Sequence, residues 1–229
     1  MEFQETRSSV KIPLPDHVRE LLAALCSVGF FKQSVLVGSS AISFYRAIYD
    51  IRFHFYTSDI DLAVQVVTPY KDSLVNLEEL LNKIGYVPFI SGDGLQRFIR
   101  SGYNVEFIVH DQRKKATGIV SVPEWNINAQ PLPFVRLLLD FTETVYTDDF
   151  YVRIPIPEAF FFHKLIIAQR RRGEKKRKKD LSQCGALITI LNDERLRQVV
   201  ASERLSKATK HQIKRSCESI EFPFCRLEL

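Results

Sequence analysis

Two aspartates on one apolar segment are the residues best suited to chemistry. Asp59 and Asp61 flank a single isoleucine at the start of the run DIDLAV. In a β-strand, residues two apart point to the same face, with Cα atoms about 7 Å apart. Two full charges at that distance repel by about 2 kcal/mol at an effective dielectric constant of about 20. A bound Mg²⁺ or Mn²⁺ ion would offset this cost, whereas aspartates at an exposed strand edge would need no metal.

A glycine-serine turn precedes the aspartates. The apolar segment QSVLV leads to Gly38, and Ser39 and Ser40 open a segment with helical periodicity. Free N–H groups at a helix N-terminus favour an anion, and serine hydroxyls add hydrogen-bond donors. The turn therefore predicts a site for the phosphates of a nucleoside triphosphate (NTP), although a turn glycine followed by capping serines explains the same residues without a ligand.

The turn and the aspartates together resemble the nucleotidyltransferases of the DNA polymerase β superfamily. Their motif is Gly-Ser at a strand-helix turn, followed by Asp-x-Asp on the next strand. The matching residues are Gly38, Ser39, Asp59 and Asp61, and TSDIDLAV is close to the usual form. The interval between the two parts is longer than in the shortest members, and YDIRFHFYT is interpreted as an additional turn or short strand.

The resemblance also implies a third carboxylate on a neighbouring strand. Glu106 is the best match, as the only acid inside the apolar part of NVEFIVHD, and Asp111 at the end of that segment is a weaker substitute. By resemblance, Glu106 would complete the metal site or act as base toward an acceptor hydroxyl. A glutamate on the solvent face of an edge strand is the alternative.

A strongly basic segment lies in the second half of the chain. Residues 164–180, KLIIAQRRRGEKKRKKD, hold nine Lys or Arg against two acids. We expect most of these charges to form a solvated loop between helices, the usual meaning of such a run. Lys164 differs because it lies among Phe160–Phe162 and Leu165–Ile167. An ammonium group in so apolar a helix is best explained if it reaches a cleft or an anion.

The pattern HKLIIAQRR followed by KKDLSQ resembles the helical half of the superfamily branch that includes abortive-infection-type toxins of bacterial toxin-antitoxin pairs. This resemblance implies that Lys164 contacts phosphate, Arg170 supports it, and Asp180 positions the nucleotide or its base. It also implies a neutralising antitoxin protein as partner. The alternatives are a snorkelling Lys164, a solvated Arg170 and a helix N-cap at Asp180.

The elements that position these residues divide into two units. Strand and helix patterns alternate in the first half, and FVRLLLDF, ETVYT and FYVRIPIP are predicted to be strands. Beyond Pro157 the three segments EAFFFHKLIIAQRR, KKDLSQCGALITILN and ERLRQVVASERLSKATKHQIKRSCESI are helical in pattern. We therefore expect an α/β (α+β) unit with a mixed sheet, residues 1–155, and a C-terminal helical unit, residues 156–229. The nucleotide would lie in the cleft between them.

Composition limits the class of protein. The chain has 229 residues, 45% of them hydrophobic, which is enough for a sizeable core. Its four cysteines lack the spacing of a disulfide framework or a zinc site. The N-terminus has no apolar signal region, and no apolar run is long enough to span a bilayer. We expect a soluble cytoplasmic protein without a membrane partner. The net charge of +5 is compatible with a polyanionic partner.

The predicted function is metal-dependent transfer of a nucleoside monophosphate from an NTP to an acceptor hydroxyl. Asp59, Asp61 and Glu106 would bind Mg²⁺ or Mn²⁺, and the turn at Gly38 would hold the phosphates. RNA, for example a tRNA end, is favoured as acceptor by the basic run, while a protein hydroxyl or a small antibiotic stays open. Two alternatives are a glycosyltransferase, which usually places Asp-x-Asp after a longer nucleotide-binding region, and a non-catalytic RNA-binding protein on the same fold.

Overall fold

The computed structural model describes residues 6–7, 9–51, 53, 57–66, 75–92, 94–110 and 118–229. Its strands are β1 (Thr6–Arg7), β2 (Ser34–Val37), β3 (Asp59–Val64), β4 (Val87–Ile90), β5 (Gln96–Arg100), β6 (Tyr103–His110), β7 (Val120–Val122), β8 (Ile127–Leu132), β9 (Thr142–Tyr146) and β10 (Tyr151–Pro155). Its α-helices are α1 (Asp16–Ser27), α2 (Gly38–Tyr49), α3 (Leu77–Lys83), α4 (Val135–Asp140), α5 (Pro157–Ala168), α6 (Glu174–Leu187), α7 (Asp193–Ala201) and α8 (Lys207–Ser219). Short 3-10 helices occur at Phe30–Lys32, Pro123–Trp125, Ile188–Ile190 and Phe224–Leu227.

A mixed sheet forms the first half of the molecule. Its strands lie in the order β2-β3-β6-β5-β4, with β8 paired to β6 and β7 paired to β8. The β2–β3 pair is antiparallel, the β3–β6 pair is parallel, and β6, β5 and β4 are antiparallel neighbours. A second sheet has the order β1-β9-β10. The mixed α/β prediction is therefore confirmed.

Helix α4 corrects one strand prediction. The segment FVRLLLDF was expected to be a strand, but Val135–Asp140 is helical. A short apolar run has no periodicity that separates a strand from a buried helix. Here Val135, Leu138 and Leu139 occur at helical spacing and pack on the same sheet face as Val37 and Ala63. Helix α4 thus covers the part of β3 that follows the aspartates.

The C-terminal part is helical, as predicted. Helix α5 is buried on almost every side and packs against α6, α7 and α8. The long pattern ERLRQVVASERLSKATKHQIKRSCESI divides into α7 and α8, because Ser206 caps a new helix by accepting a hydrogen bond from the Thr209 N–H. Strand β10 ends at Pro155 and α5 begins at Pro157. The division into two domains at this junction stays a prediction.

The basic run is more helical than expected. Only residues 169–173 lie between α5 and α6, and Lys175–Lys179 belong to the first turns of α6. Lysine and arginine are good helix formers, so a run of them continues a helix readily. Asp180 lies inside α6 and does not cap its N-terminus.

Some expectations concern residues outside the described part. Four of the nine residues of YDIRFHFYT, the first part of YKDSLVNLEELLNKIG and Asp111 lie there, whereas the end of the second segment forms α3 as predicted. In the parts of the chain that the structure does describe, we find no helix with the length and apolar character needed to cross a membrane.

Candidate active site

The aspartate pair lies at the start of β3, between β2 and β6. The strand register places Asp61 beside Val37 on one side and beside Glu106 on the other. Asp59 lies beside Asn104, whose Nδ2 donates a hydrogen bond to Asp59 Oδ1 at 3.3 Å. Because directly opposed residues on neighbouring strands share a face, the three carboxylates lie on one side of the sheet.

The glycine of the turn directly contacts the second aspartate. Gly38 has a φ of +64°, a conformation that glycine adopts without steric cost. A Cβ atom added to Gly38 would lie 1.9 Å from Asp61 Oδ2, well inside van der Waals contact. Only a residue without a side chain fits there. The turn and the aspartates, far apart in sequence, thus form one site at the N-terminus of α2.

The carboxyl group of Asp61 has an unusual environment. The pKa of Asp61 is raised from 3.8 to about 6, mainly by burial and also by the neighbouring Glu106 and Asp59 carboxylates, while Lys164 and Lys179 act in the opposite direction. An ionised Asp61 therefore lacks full compensation from the protein. A cation bound beside it would supply that compensation.

The two serines of the turn do not cap α2, contrary to the simpler interpretation. Ser39 is buried, and its Oγ accepts a hydrogen bond of 2.8 Å from Nε2 of Gln183 in α6. Ser40 Oγ donates to the backbone carbonyl of Asp59 at 3.0 Å. The serines thus join the turn to the helical part and to β3.

The predicted third carboxylate has a partner that the sequence did not suggest. Nε of Arg97, on β5, lies 2.6 Å from Glu106 Oε1 in an ion pair. The strand register places these two residues directly opposite each other. Among the described residues, no group of three or more His, Cys, Asp or Glu side chains is arranged to hold a metal ion. Glu106 is therefore already engaged in an ion pair with Arg97.

The lysine and aspartate of the helical part form a buried ion pair. Lys164 Nζ donates to Asp180 Oδ1 at 2.7 Å, and their side chains are only 9% and 4% exposed. Arg171 Nε donates to Asp180 Oδ2, also at 2.7 Å. Although burial raises the pKa of Asp180, the charges of Lys164 and Arg171 outweigh it and lower the pKa below its usual value. The structure therefore holds the Lys164 ammonium in a fixed position, from which its charge acts to lower the pKa of Asp61.

Arg170 points to a different part of the helical unit. Its guanidinium group donates to Thr209 Oγ1 at 2.8 Å and to Gln212 Oε1 at 3.2 Å, both on α8. It also lies 4.9 Å from the ring centre of Phe134. These contacts attach α8 to the loop after α5, and the role of Arg170 toward a nucleotide stays a prediction.

Three residues of the site were missed from the sequence: Arg97, Arg171 and Gln183. The first two belong to strand and loop segments whose pairing depends on the fold. Gln183 had a usable signal, because it follows Asp180 by three positions and so lies on the same face of the helix. His163, which precedes Lys164 on α5, is buried, and burial and Lys164 lower its pKa to about 3. It is therefore neutral at physiological pH.

Comparison with known proteins identifies the group to which the chain is similar. A family model described as nucleotidyltransferase matches residues 16–208. No curated protein matches the chain. Among solved structures, the chain is similar to an antigenic nucleotidyltransferase-like protein from Paracoccidioides brasiliensis, at 13% identity and a TM-score of 0.50, over 93% of this chain and 89% of that chain. At this identity the likeness concerns the fold.

Proposed function

Since the chain belongs to the nucleotidyltransferase family, we propose that it transfers a nucleoside monophosphate from an NTP to an acceptor hydroxyl with the help of a divalent metal ion. The contact between Gly38 and Asp61 carries this proposal. It joins a helix N-terminus suited to phosphate with a pair of carboxylates suited to a cation. An NTP complexed with Mg²⁺ needs both a site for its phosphates and carboxylates for the metal ion.

The donor set fits Mg²⁺ or Mn²⁺. Asp59 and Asp61 present hard oxygen ligands on one face, and the raised pKa of Asp61 indicates that the negative charge of this carboxylate is not fully compensated. Asp59 and Asp61 would hold the ion, and Glu106 would join them once it separates from Arg97. When bound, the ion supplies charge neutralisation at the phosphate oxygens.

The remaining residues would position the substrate. The N–H groups at the start of α2 and the hydroxyl group of Ser39 would bind the phosphates, and the hydroxyl group of Ser40 would join them on releasing its hydrogen bond to the Asp59 carbonyl. Lys164 would contribute a fixed positive charge, because the hydrogen bond to Asp180 holds its ammonium in place. Glu106 would accept the proton of the attacking hydroxyl. Catalysis of this kind depends mainly on positioning and charge stabilisation.

The basic surface of the helical part favours RNA as acceptor. A groove of about 610 Å³ between α6 and α8 is lined by Arg177, Lys178 and Arg215 among others. Contacts from Lys and Arg to phosphates provide sequence-independent affinity for nucleic acid. A toxin role with a neutralising antitoxin protein is the finer proposal that the resemblance to abortive-infection-type toxins supports.

Transfer of labelled nucleotide tests the proposal. Purified protein is incubated with each α-³²P-labelled NTP, Mg²⁺ or Mn²⁺, and total RNA. The Asp59→Asn/Asp61→Asn variant should lose about a thousandfold in rate if the pair contributes about 4 kcal/mol to the transition state. Asp16→Asn, an exposed aspartate on α1, is the matched control and should keep full activity. Absence of transfer with every NTP, together with absence of metal-dependent nucleotide binding, would contradict the enzymatic proposal and favour a non-catalytic RNA-binding protein.

A further inference from the structure

The sheet face that carries the aspartates continues to the edge of the sheet. The strand register aligns two rows of residues across β3, β6, β5 and β4. One row is Asp61, Glu106, Arg97 and Phe89, and the other is Asp59, Asn104, Ile99 and Val87. Opposed residues share a face, so both rows lie on the same side of the sheet. Because β3, β6, β5 and β4 are direct neighbours, the acidic site borders a second surface on the same sheet face.

That second surface is apolar and exposed. Val87, Phe89 and Ile99, which we call the apolar platform, are 64%, 50% and 36% exposed. Single exposed apolar side chains are common, but three adjacent ones beside a polar site indicate a binding surface. About half of the surface of Phe89 remains in contact with water. The platform is available to a ligand that brings an apolar face.

The dimensions of the platform fit a polynucleotide strand. Neighbouring strands lie about 4.8 Å apart, which places Phe89 about 10 Å from Glu106 along the row. Stacked nucleotides rise by about 3.4 Å each, so two or three nucleotides span this distance. An acceptor whose terminal hydroxyl lies at Glu106 would therefore place its last bases over the Phe89 ring. Bases stack on aromatic side chains in single-stranded nucleic acid recognition.

A positive charge separates the platform from the carboxylates. Arg97 lies between Phe89 and Glu106 in the row, its side chain is 38% exposed, and its Nε is 2.6 Å from Glu106 Oε1. A guanidinium group also pairs well with a phosphodiester. A strand lying on the platform would bring such a group to the position where Arg97 now contacts Glu106.

We propose that the apolar platform binds the single-stranded end of an RNA acceptor, and that its phosphodiester draws Arg97 away from Glu106. The inference rests on the proposed function for the donor site. Once Glu106 is released, its carboxylate takes the proton of the terminal hydroxyl. The hydroxyl oxygen forms a bond to the α-phosphorus of the NTP, the bond from that phosphorus to the bridging oxygen breaks, and pyrophosphate leaves with the electron pair. Acceptor binding thus uncovers the base that the acceptor needs.

Binding of a 5′-fluorescein-labelled single-stranded oligoribonucleotide to the full chain, followed by anisotropy, tests the platform. Phe89→Ala should weaken binding at least fivefold, the lower end for loss of one base on an aromatic ring. Ile90→Ala is the matched control, since Ile90 is 62% exposed on the same edge strand but points to the opposite face. It should bind like the parent. The inference is wrong if the parent binds single strand and duplex with equal affinity. It is also wrong if Phe89→Ala and Ile90→Ala bind the single strand with equal affinity.

A double-mutant cycle tests the exchange of Arg97. Glu106→Gln should bind the oligoribonucleotide about two- to fivefold tighter, because Arg97 no longer has a competing carboxylate. The gain should disappear in the Arg97→Ala background, and Arg97→Ala alone should make the salt dependence shallower by about 0.7 in the slope of log K against log salt. An equal gain in both backgrounds would mean a general loss of repulsion and would refute the exchange.

Two further measurements separate this inference from its alternatives. Metal-dependent NTP binding, measured by calorimetry without RNA, reports the donor site alone. If NTP binds but the affinity for the oligoribonucleotide is unchanged by Phe89→Ala, only the acceptor inference fails. If Phe89→Ala instead changes the oligomeric state seen by light scattering, the platform is an interface between copies of the chain and the inference is wrong.

Discussion

Replacing Asp61 by asparagine should stabilise the protein at neutral pH while it removes activity. The side chain keeps its shape against Gly38, but the charge that the site compensates incompletely is lost. Burial, together with Glu106 and Asp59, raises the pKa of Asp61 from 3.8 to about 6 against the opposing effect of Lys164. Since a tenfold change in an ionisation constant is worth about 1.36 kcal/mol, ionisation of Asp61 costs the folded state about 3 kcal/mol at pH 7.

The sign of this effect gives it a characteristic pH dependence. Below about pH 4 Asp61 is protonated in both the folded and the unfolded state, so its ionisation costs nothing. Between about pH 4 and pH 6 the unfolded state releases the proton first, and the parent loses stability relative to Asp61→Asn. Above about pH 6 the difference is complete. The variant should therefore gain about 3 kcal/mol at pH 7 and almost nothing at pH 4.

Urea unfolding in the absence of divalent ions measures the difference directly. In thermal unfolding at pH 7, the same gain in free energy corresponds to a rise of about 6 to 12 °C in melting temperature for a chain of this length. Mg²⁺ should then stabilise the parent more than the variant. Asp59→Asn is the control, because Asp59 is exposed and its replacement should change stability by no more than about 0.5 kcal/mol. A gain below about 0.5 kcal/mol at pH 7, or an equal gain at pH 4, would refute the electrostatic argument.

Two further substitutions test the neighbouring parts of the site. Gly38→Ala should lose about 2 kcal/mol of stability and metal-dependent NTP binding, because the new Cβ collides with Asp61; Gly92→Ala, where a Cβ meets nothing within 4 Å, should match the parent in both thermal unfolding and calorimetry. Lys164→Met should cost about 3 kcal/mol in urea unfolding, because the buried Asp180 carboxylate loses a partner. Lys164→Met/Asp180→Leu should recover part of that loss, and no recovery would contradict the role assigned to the pair.

Local patterns in the sequence were sufficient for the features that depend on neighbouring residues. The alternation in DIDLAV predicts a strand with both aspartates on one face, and Gly38 followed by serines predicts a strand-helix turn. The apolar and basic periodicity beyond Pro157 predicts helices. Side-chain direction along a strand or helix follows from backbone geometry alone, so these predictions needed no knowledge of the rest of the fold.

Local sequence patterns gave wrong predictions where two kinds of secondary structure are compatible with the same pattern. FVRLLLDF is apolar enough for a strand, and only its packing on β2, β3 and β6 makes α4 the stable form. The basic run is polar enough for a loop, yet it continues α6. In both cases the deciding free energy comes from contacts or propensities that short-range hydrophobic periodicity does not contain.

Only the tertiary structure decided how the parts of the site meet. Strand register places Glu106 beside Asp61 and Arg97 beside Glu106, and the path of the chain brings the Gly38 turn against the Asp61 carboxylate. Packing of the helical unit brings Gln183 to the turn. These pairings join residues far apart in sequence, and a shift of one residue in register would turn each side chain to the opposite face. The sequence alone therefore indicated the carboxylates and the turn that could take part in the chemistry, while the fold determined their distances and their partners, among them Arg97, Arg171 and Gln183.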